Sequence, residues 1–385
     1  MTGGHVGIRD VARRRLVAQG IARDPSDADD PAPTLAEVAA SQLATQAQDL
    51  PGAKWALGLR ARATEVEVDA ALADGTVVRT WPARGTLMIT ARADVRWLTE
   101  LLAPRAFGAA ASVWRRDGLT PDDFVRASDI ARAELRGRSL ARDALLEVWR
   151  ANGIETTKNR GSHLLRQLAG EALIVFGPPT TNPKTGAAVQ TFALLADHAP
   201  EAEPRDRDDA LRELAVRYFT GHGPATVRDL AWWSGLTIAD CRRAVDLAGD
   251  ALARCDVTGQ EPGPQDREAL LTSAAHPPSI AEPGDVRILP PFDELLVGYA
   301  DRAAHLDEGD FAKVVPASNG LFRPVVTVDG RVVGTWRRTL VKNDAVDVAV
   351  ETFRPLDAAV EAAIDARVDE YARFAARSRY EAASG

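Results

Sequence analysis

The chain is poor in cysteine and lacks long apolar runs, and each absence excludes a class of protein. Its 385 residues contain two cysteines, Cys241 and Cys255, which are too few for a disulfide framework and lack the CxxC spacing of zinc sites. No stretch of about 18 apolar residues is present to form a transmembrane helix. The N-terminal segment also lacks the apolar core of a signal peptide. These absences predict a cytoplasmic protein.

Signatures of nucleotide and metal binding are missing as well. The sequence has no P-loop and no GxGxxG following a strand, which excludes the common nucleotide-binding motifs. The carboxylates of Asp293, Glu294 and Asp301 would suit acid–base chemistry or a metal, but no histidine stands at ligand spacing from them. His163 and His222 are isolated, and we interpret them as structural residues with satisfied hydrogen bonds. We therefore predict no cofactor and no metal.

The net charge of -8 argues at face value against binding to nucleic acid, because phosphates are bound through Lys and Arg. An acidic protein can still bind DNA when its basic residues share one surface. The arginines and lysines are grouped along the chain, at 79–96, 132–142, 158–166 and 337–342. Each group predicts either a DNA-facing patch or an ordinary solvated surface of mixed charge.

The length and the pattern of elements predict a mainly helical α+β protein with several units, because 385 residues exceed the usual single core. Helices followed by a β-hairpin occur three times, which is the pattern of a winged helix. The predicted units are residues 1–100, 101–200 and 205–284, each a winged helix, and residues 285–385, a C-terminal αβ unit with a hairpin.

Local signals place the elements of the first two units. Thr34 and Glu37 form a capping box for a helix that we expect to run into LATQAQDL. The run TVVRTWPARGTLMIT predicts two strands around a turn. Further helices are predicted at 94–103 and 106–116, from Thr120, and over SLARDALLEVWRANG with Ser139 as its N-cap.

The third unit carries the clearest local signal. GHGPATVRDLAWWSGLTIADCRRAVDLA predicts a helix-turn-helix in which Thr237 caps the second helix. Trp232 and Trp233 lie on the first helix and are predicted to be core residues. Segments 251–258 and 268–273 are candidates for the wing. After them, Asp329-Gly330 predicts a hairpin turn, and 356–377 a final helix.

Several segments together resemble a known family. Five segments are similar to segments of the bacterial winged-helix family of AlkZ-type DNA glycosylases. They are LATQAQDLPGAKWALGLRAR, VVRTWPARGTLMIT, GHGPATVRDLAWWSGL, LPPFDELLVGYADR and NGLFRPVVTVDGRVVGTWRR. The resemblance spans nearly the full chain. It implies three tandem winged helices in a C-shaped body around double-stranded DNA, and excision of alkylated bases, including the unhooking of interstrand crosslinks. It also implies a catalytic Gln-apolar-Gln motif, here Gln46, Ala47 and Gln48.

The chemistry of glycosidic hydrolysis fits such a motif. Positive charge builds on the sugar as the base departs, and an enzyme must stabilise it and place a water. An N7-alkylpurine is already cationic, so neutral amides such as Gln46 and Gln48 can suffice. We expect both amides at a helix end, where Leu50-Pro51-Gly52 bends the chain. By spacing alone, glutamines at a helix end are usually solvated, and Asp49 is either a supporting partner or a cap.

DNA binding requires basic groups on the hairpins. Arg79, Arg84 and Arg92 flank the first hairpin, and Arg337 and Arg338 close the last, so we predict that all five contact phosphates. The alternative is a salt-bridged hairpin surface. Trp81 is predicted to stack against bases, although tryptophans on wings are more often buried. Met88 stands where family members often have a histidine, which puts lesion preference in doubt.

Two functions follow from these patterns. The leading interpretation is a monofunctional DNA glycosylase for N7-alkylated purines, since the lysine nearest to the motif in sequence is Lys54, which gives a lyase step little support. The alternative is a non-catalytic winged-helix regulator, because this fold also serves transcription. A regulator would dimerise on a palindromic site, whereas three winged helices in one chain predict a monomer that wraps DNA.

Overall fold

The computed structural model describes residues 7–24, 30–182, 184–185, 188–199, 205–255, 269–316, 320–341, 345–376 and 378–379. Within these ranges, every helix is either too short or too polar to cross a membrane. The predicted wing at 251–258 and 268–273 lies partly outside the described residues.

The fold mixes helices with small, mostly antiparallel sheets, which confirms the predicted mixture of helix and strand. The helices are α1 (Ile8–Ala18), α2 (Leu35–Gln42), α3 (Leu50–Ala61), α4 (Glu65–Ala73), α5 (Val95–Arg116), α6 (Pro121–Glu134), α7 (Arg142–Ala151), α8 (Arg160–Gly170), α9 (Leu195–His198), α10 (Arg207–Gly221), α11 (Val227–Ser234), α12 (Ile238–Ala248), α13 (Glu294–Val297), α14 (Phe311–Val314) and α15 (Ala358–Phe374). The strands are β1 (Thr45–Gln46), β2 (Val77–Ala83), β3 (Thr86–Ala91), β4 (Leu140–Ala141), β5 (Ile174–Thr181), β6 (Ala188–Leu194), β7 (Leu252–Cys255), β8 (Leu270–Ser273), β9 (Val286–Leu289), β10 (Val325–Val328), β11 (Arg331–Val341), β12 (Ala345–Thr352) and β13 (Ser378–Arg379).

The chain forms two compact units. Unit 1 comprises Met1–Val68, Leu211–Trp233 and Thr237–Gly385, and unit 2 comprises Asp69–Ala210 and Ser234–Leu236. Each of them therefore holds elements from more than one of the four predicted units. The boundaries at 100, 200 and 284 stay a prediction.

Unit 2 contains two hairpins and the helices that support them. Strands β2 and β3 pair antiparallel, and β5 pairs with β6, which also pairs with β4. The first hairpin turns at Arg84 and Gly85, whose φ angles are 53° and 66°. Left-handed conformation at both positions suits the right-handed twist of the flanking strands. This confirms the predicted first hairpin.

Helix α5 departs from the sequence prediction. Residues 95–116 form one helix with Pro104 inside, not two helices at 94–103 and 106–116. Proline removes one backbone hydrogen bond, but buried side chains hold the helix on both sides of it. Leu102 precedes the proline and is buried. Phe107 follows it and lies against Gly170 of α8, where an added Cβ would come within 2.3 Å of its ring.

Strand β4 explains a second departure. Ser139 was predicted to cap the helix of 139–153, but α7 begins at Arg142. Leu140 and Ala141 pair with Phe192 and Thr191 of the hairpin. Long-range pairing with β6 therefore delays the helix by two residues.

Unit 1 holds most of the helix-turn-helix and the C-terminal sheet. The predicted second helix is confirmed, because the Thr237 side chain accepts a hydrogen bond from the Asp240 amide at the start of α12. Strands β7 and β8 pair antiparallel after it. The five-stranded sheet has the order β13-β12-β11-β10-β9, with the predicted turn at Asp329 and Gly330.

The C-terminal sheet and α15 position helix α3. The indole of Trp55 donates to the Ile288 carbonyl of β9 at 2.9 Å. The same ring packs edge-on against Tyr371 of α15, with centroids 5.3 Å apart. Phe374 lies so close to Gly58 that an added Cβ would come within 2.3 Å. Helix α3 is thus fixed at its middle, and the segment in front of it carries the Gln-Ala-Gln motif.

Candidate active site

A strained turn separates helix α2 from the motif. The capping box of Thr34 and Glu37 is confirmed at the start of α2, but the helix ends at Gln42 and does not run into the motif. Leu43 has φ 61° and ψ -53°, and the Ala44 amide donates to the Gln42 carbonyl at 2.7 Å. This is a γ-turn of the rare positive-φ type. Such backbone strain costs about 1–3 kcal/mol and is characteristic of functional sites.

The motif therefore lies in a segment between two helices, not at a helix end. Thr45 and Gln46 are extended, and α3 begins at Leu50 with Pro51 in its first turn. Proline is tolerated in the first turn because its missing N–H has no helical partner there. The expected bend at 50–52 is thus the start of the next helix.

The two glutamines occupy different environments. The Gln46 backbone N–H donates to Glu294 Oε1 at 3.2 Å, and 9% of the residue is exposed. Its side-chain carbonyl oxygen is shielded from solvent and has no hydrogen-bond partner within the described residues. Ala47 is fully buried and Gln48 is exposed. One amide is held inside the loop, and the other reaches solvent.

Glu294 anchors the loop from 248 positions away in sequence. It is 1% exposed, and its second oxygen accepts the indole N–H of Trp233 at 3.1 Å. The sequence singled out this carboxylate for acid–base or metal chemistry and missed its link to the motif. The sequence signal for its burial was the apolar run Leu295-Leu296-Val297 that directly follows it.

His222 lies beside this carboxylate. Its Nε2 is 3.8 Å from Glu294 Oε2, and its ring stacks on Tyr218 at a centroid distance of 4.7 Å. The ring is fully buried, and neither nitrogen makes a hydrogen bond to a described residue. The interpretation as a satisfied structural histidine is therefore wrong for His222. It is confirmed for His163, whose Nε2 is 2.8 Å from Asp117 Oδ2.

Arg60 and Asp293 lock α3 onto the segment that carries Glu294. The guanidinium bonds to both Asp293 oxygens at 3.0 Å, to the Ala56 carbonyl, and to the backbone and side-chain oxygens of Gln19. All five of its N–H donors are used, as a buried guanidinium requires. Phe292, just before this pair, has a φ of 60°, which is strained for a bulky residue.

These contacts leave little support for acid–base catalysis by Asp293, Glu294 or Tyr299. Burial raises the pKa of Tyr299, whose hydroxyl donates to the His222 carbonyl at 2.8 Å and accepts from Gln19. In the part of the chain that the structure describes, no group of three His, Cys, Asp or Glu side chains is placed to hold a metal ion.

The first hairpin presents its four predicted DNA-contacting residues unequally. Arg79 is 6% exposed and lies over the Phe176 ring, and burial lowers its pKa to about 10. Trp81 is half-buried against Phe176 and Phe192. Arg84 is half-buried at the tip of the hairpin. Of these three residues, Arg79 is the one whose side chain is withdrawn from the surface.

The fourth residue, Arg92, lies at the base of the same hairpin. Its Nε donates to the Gly75 carbonyl at 2.7 Å, and its Nη2 donates to the Asp74 carbonyl. Met88 faces inward in the same hairpin and is fully buried. Its side chain does not reach the surface at which a histidine would contact DNA.

On the C-terminal hairpin, Arg337 and Arg338 are both exposed at successive positions of β11, so their side chains point to opposite faces of the strand. Arg338 donates to the Tyr371 hydroxyl at 2.6 Å. Of the two tryptophans predicted as core, Trp233 is fully buried as expected. The prediction is wrong for Trp232, which is 47% exposed. Its indole stacks with the guanidinium of the half-buried Arg302 and does not enter the core.

The chain is similar to known proteins in both sequence and structure. A family model described as DNA glycosylase AlkZ-like matches residues 39–374. The interstrand DNA cross-link repair glycosylase of Streptomyces sahachiroi is 26% identical over 314 residues, which cover 79% of this chain and 82% of that protein. The solved structure of Streptomyces sahachiroi DNA glycosylase AlkZ matches with a TM-score of 0.78 at 23% identity, covering 98% of each chain. The chain shares the fold of that structure.

Proposed function

The chain belongs to the AlkZ-like family of DNA glycosylases, and from this premise we propose that it hydrolyses the N-glycosidic bond of N7-alkylated purines in double-stranded DNA. The observation that carries the proposal is the Gln46–Gln48 loop. A strained turn and a buried carboxylate hold it, and it pairs a shielded amide with an exposed one. Strain and preorganisation of this kind are typical of catalytic loops.

In the proposed mechanism the cationic base leaves with the electron pair of its glycosidic bond and becomes neutral. The sugar becomes an oxocarbenium ion, which the carbonyl dipole of Gln48 stabilises. The carbonyl oxygen of Gln46 has no donor within the described residues, and it accepts a hydrogen bond from the attacking water. Water oxygen then bonds to the sugar carbon and loses a proton to solvent.

Crosslinked DNA is a second proposed substrate. The relative from Streptomyces sahachiroi is named an interstrand DNA cross-link repair glycosylase. A crosslink through N7 of two guanines carries the same cationic leaving group on each strand, so the same chemistry would unhook it. The test is release of full-length single strands from a crosslinked duplex on a denaturing gel. Persistence of the crosslink, while N7-methylguanine is excised, would limit the enzyme to simple adducts.

We propose that three helix-plus-hairpin units act as tandem winged helices on duplex DNA. The C-shaped arrangement and a monomeric state stay predictions. Arg84, Arg337 and Arg338 are the proposed phosphate contacts, because all three are at least partly accessible on hairpins. The burial of Arg79 and Trp81 and the backbone bonds of Arg92 favour a role in shaping the first hairpin, with any DNA contact secondary.

The test of the function uses a duplex with one N7-methylguanine. Wild type is expected to release the base and leave an abasic site, whereas Gln48→Ala slows release by about 100-fold. Gln167→Ala is the matched control, because this amide donates to Glu171 at the C-cap of α8 and its loss should leave excision unchanged. If wild type binds the duplex without releasing base, the regulator interpretation replaces the glycosylase.

A further inference from the structure

A carboxylate directly follows the exposed amide of the motif and is not used by the fold. Asp49 stands at the N-cap position of α3, yet its side chain makes no capping hydrogen bond. Pro51 occupies the second helical position and offers no N–H, which removes one of the two usual donors. Within the described residues, no hydrogen bond or ion pair engages the Asp49 carboxylate. It is therefore not simply a helix cap.

The shape of the first turn of α3 provides the space for this carboxylate. An added Cβ at Gly52 would lie 2.7 Å from Asp49 Oδ2 and 3.0 Å from Pro291. Any side chain at this position would displace the carboxylate or the proline. Asp49 is half-buried, so its charge is partly shielded from water and acts more strongly on neighbouring groups.

The charges around Asp49 connect it to the proposed DNA surface. Burial is the main cause that raises the pKa of Tyr371, and the negative charges of Glu65 and Asp49 add to it. Tyr371 accepts a hydrogen bond from the exposed Arg338 at 2.6 Å. The charge of Asp49 thus acts on Tyr371, the partner of a proposed phosphate contact, and Asp49 directly follows Gln48 in the sequence.

We propose that Asp49 is a further catalytic residue, whose carboxylate faces the oxocarbenium ion and takes the proton of the attacking water. This deepens the proposed glycosylase function and rests on it. The bond from sugar C1′ to the base nitrogen breaks, and its electron pair leaves with the base. Water oxygen bonds to C1′, and one water proton passes to Asp49 and then to solvent. Neutral amides supply only dipoles, whereas Asp49 supplies the full negative charge that this intermediate attracts.

The test compares how tightly the protein binds two DNA duplexes. Both have undamaged bases, and each has one nucleotide whose sugar is replaced by an analogue. One analogue is a pyrrolidine, whose protonated nitrogen mimics the oxocarbenium charge, and the other is a neutral tetrahydrofuran. Wild type is expected to prefer the pyrrolidine by about tenfold or more. Asp49→Asn should lose this preference and slow single-turnover excision of N7-methylguanine by about 100-fold, with an unchanged melting temperature. Asp49→Glu should restore part of both.

Glu65→Gln is the matched control. It removes a carboxylate that also raises the pKa of Tyr371 but that pairs with Lys54 at 3.3 Å, so the pyrrolidine preference should remain. A preference retained by Asp49→Asn, or absent in wild type, overturns the role of Asp49 while excision by wild type upholds the glycosylase. Failure of wild type to excise any N7-methylguanine instead overturns the proposed function on which this role rests.

Discussion

Glu294 is the residue through which distant parts of unit 1 contact the Gln46–Gln48 loop. One of its oxygens holds the Gln46 amide, and the other holds the indole of Trp233 in the helix-turn-helix. A buried carboxylate with two N–H partners exchanges its hydration for fixed donors. The cost is that both donors depend on it. Substitution of Glu294 should therefore affect the loop and the helix-turn-helix together.

We predict that Glu294→Ala lowers the free energy of unfolding by about 2–5 kcal/mol, because it leaves two buried N–H groups without acceptors. Glu294→Gln retains one carbonyl acceptor and should lose less. Urea unfolding curves measure both changes. Equal stability of the alanine variant and wild type would mean that Glu294 does not hold the loop.

A second residue-scale prediction concerns His305. Burial, and then the positive charge of Arg15, lower its pKa to about 3, and Nδ1 donates to the Gly330 carbonyl. The unfolded chain takes up a proton near pH 6.5 and the folded chain does not, so stability is present above about pH 6.5 and falls as the pH drops toward 3. The expected slope from this group is about 1.4 kcal/mol per pH unit.

His305→Gln isolates this contribution. The variant should show a flatter dependence of the free energy of unfolding on pH below about 6.5, whatever its absolute stability. Urea unfolding at several pH values in this range gives the comparison. Parallel curves for wild type and variant would assign the pH dependence to other groups.

At the scale of elements, the sequence correctly predicted the first residue of a helix where an N-cap side chain determines it. Thr34, Thr120 and Thr237 each accept a hydrogen bond from the amide three residues on, as their spacing predicted. Elements determined by distant partners were mispredicted. Strand β4 depends on β6, and helix α5 continues through Pro104 because α8 packs against Phe107.

The segment with the Gln-Ala-Gln motif shows the same limit of prediction from sequence. The motif could be found from its residues, but the γ-turn at Leu43 and the anchor at Glu294 could not, since both depend on packing that sequence separation hides. The resemblance of five segments indicated Gln46 and Gln48 as a pair. It gave no sign that one amide would be shielded and the other exposed.

An element-scale prediction follows from the start of α3. Gly52→Ala should slow excision by about tenfold or more, because the added Cβ must displace Asp49 or Pro291. The stability of the variant should change little, because alanine favours the helix by about 0.5–1 kcal/mol and this gain offsets the cost of the displacement. Gly108→Ala in α5 is the control, as an added Cβ there meets nothing within 4 Å. Wild-type excision by Gly52→Ala would show that the site tolerates a shifted carboxylate.

At the scale of the whole molecule, charge is the property to reconcile with DNA binding. The chain has 47 basic and 55 acidic residues, so its average field repels a polyanion. Binding must then depend on where the basic side chains are exposed, because screening limits each charge to about 10 Å at moderate salt. Several arginines, among them Arg60 and Arg15, are buried in structural contacts and add nothing to such a surface.

The adjacent pair Arg337 and Arg338 is therefore expected to contribute out of proportion to its number. Each phosphate contact makes the negative slope of log binding constant against log salt steeper by about 0.9. The double variant to alanine should thus make this slope shallower by about 1.8 on undamaged duplex, measured by fluorescence anisotropy. The matched control is Arg115 and Arg116, another exposed adjacent pair, at the end of α5. If both double variants change the slope alike, DNA binding follows net charge and not the C-terminal hairpin.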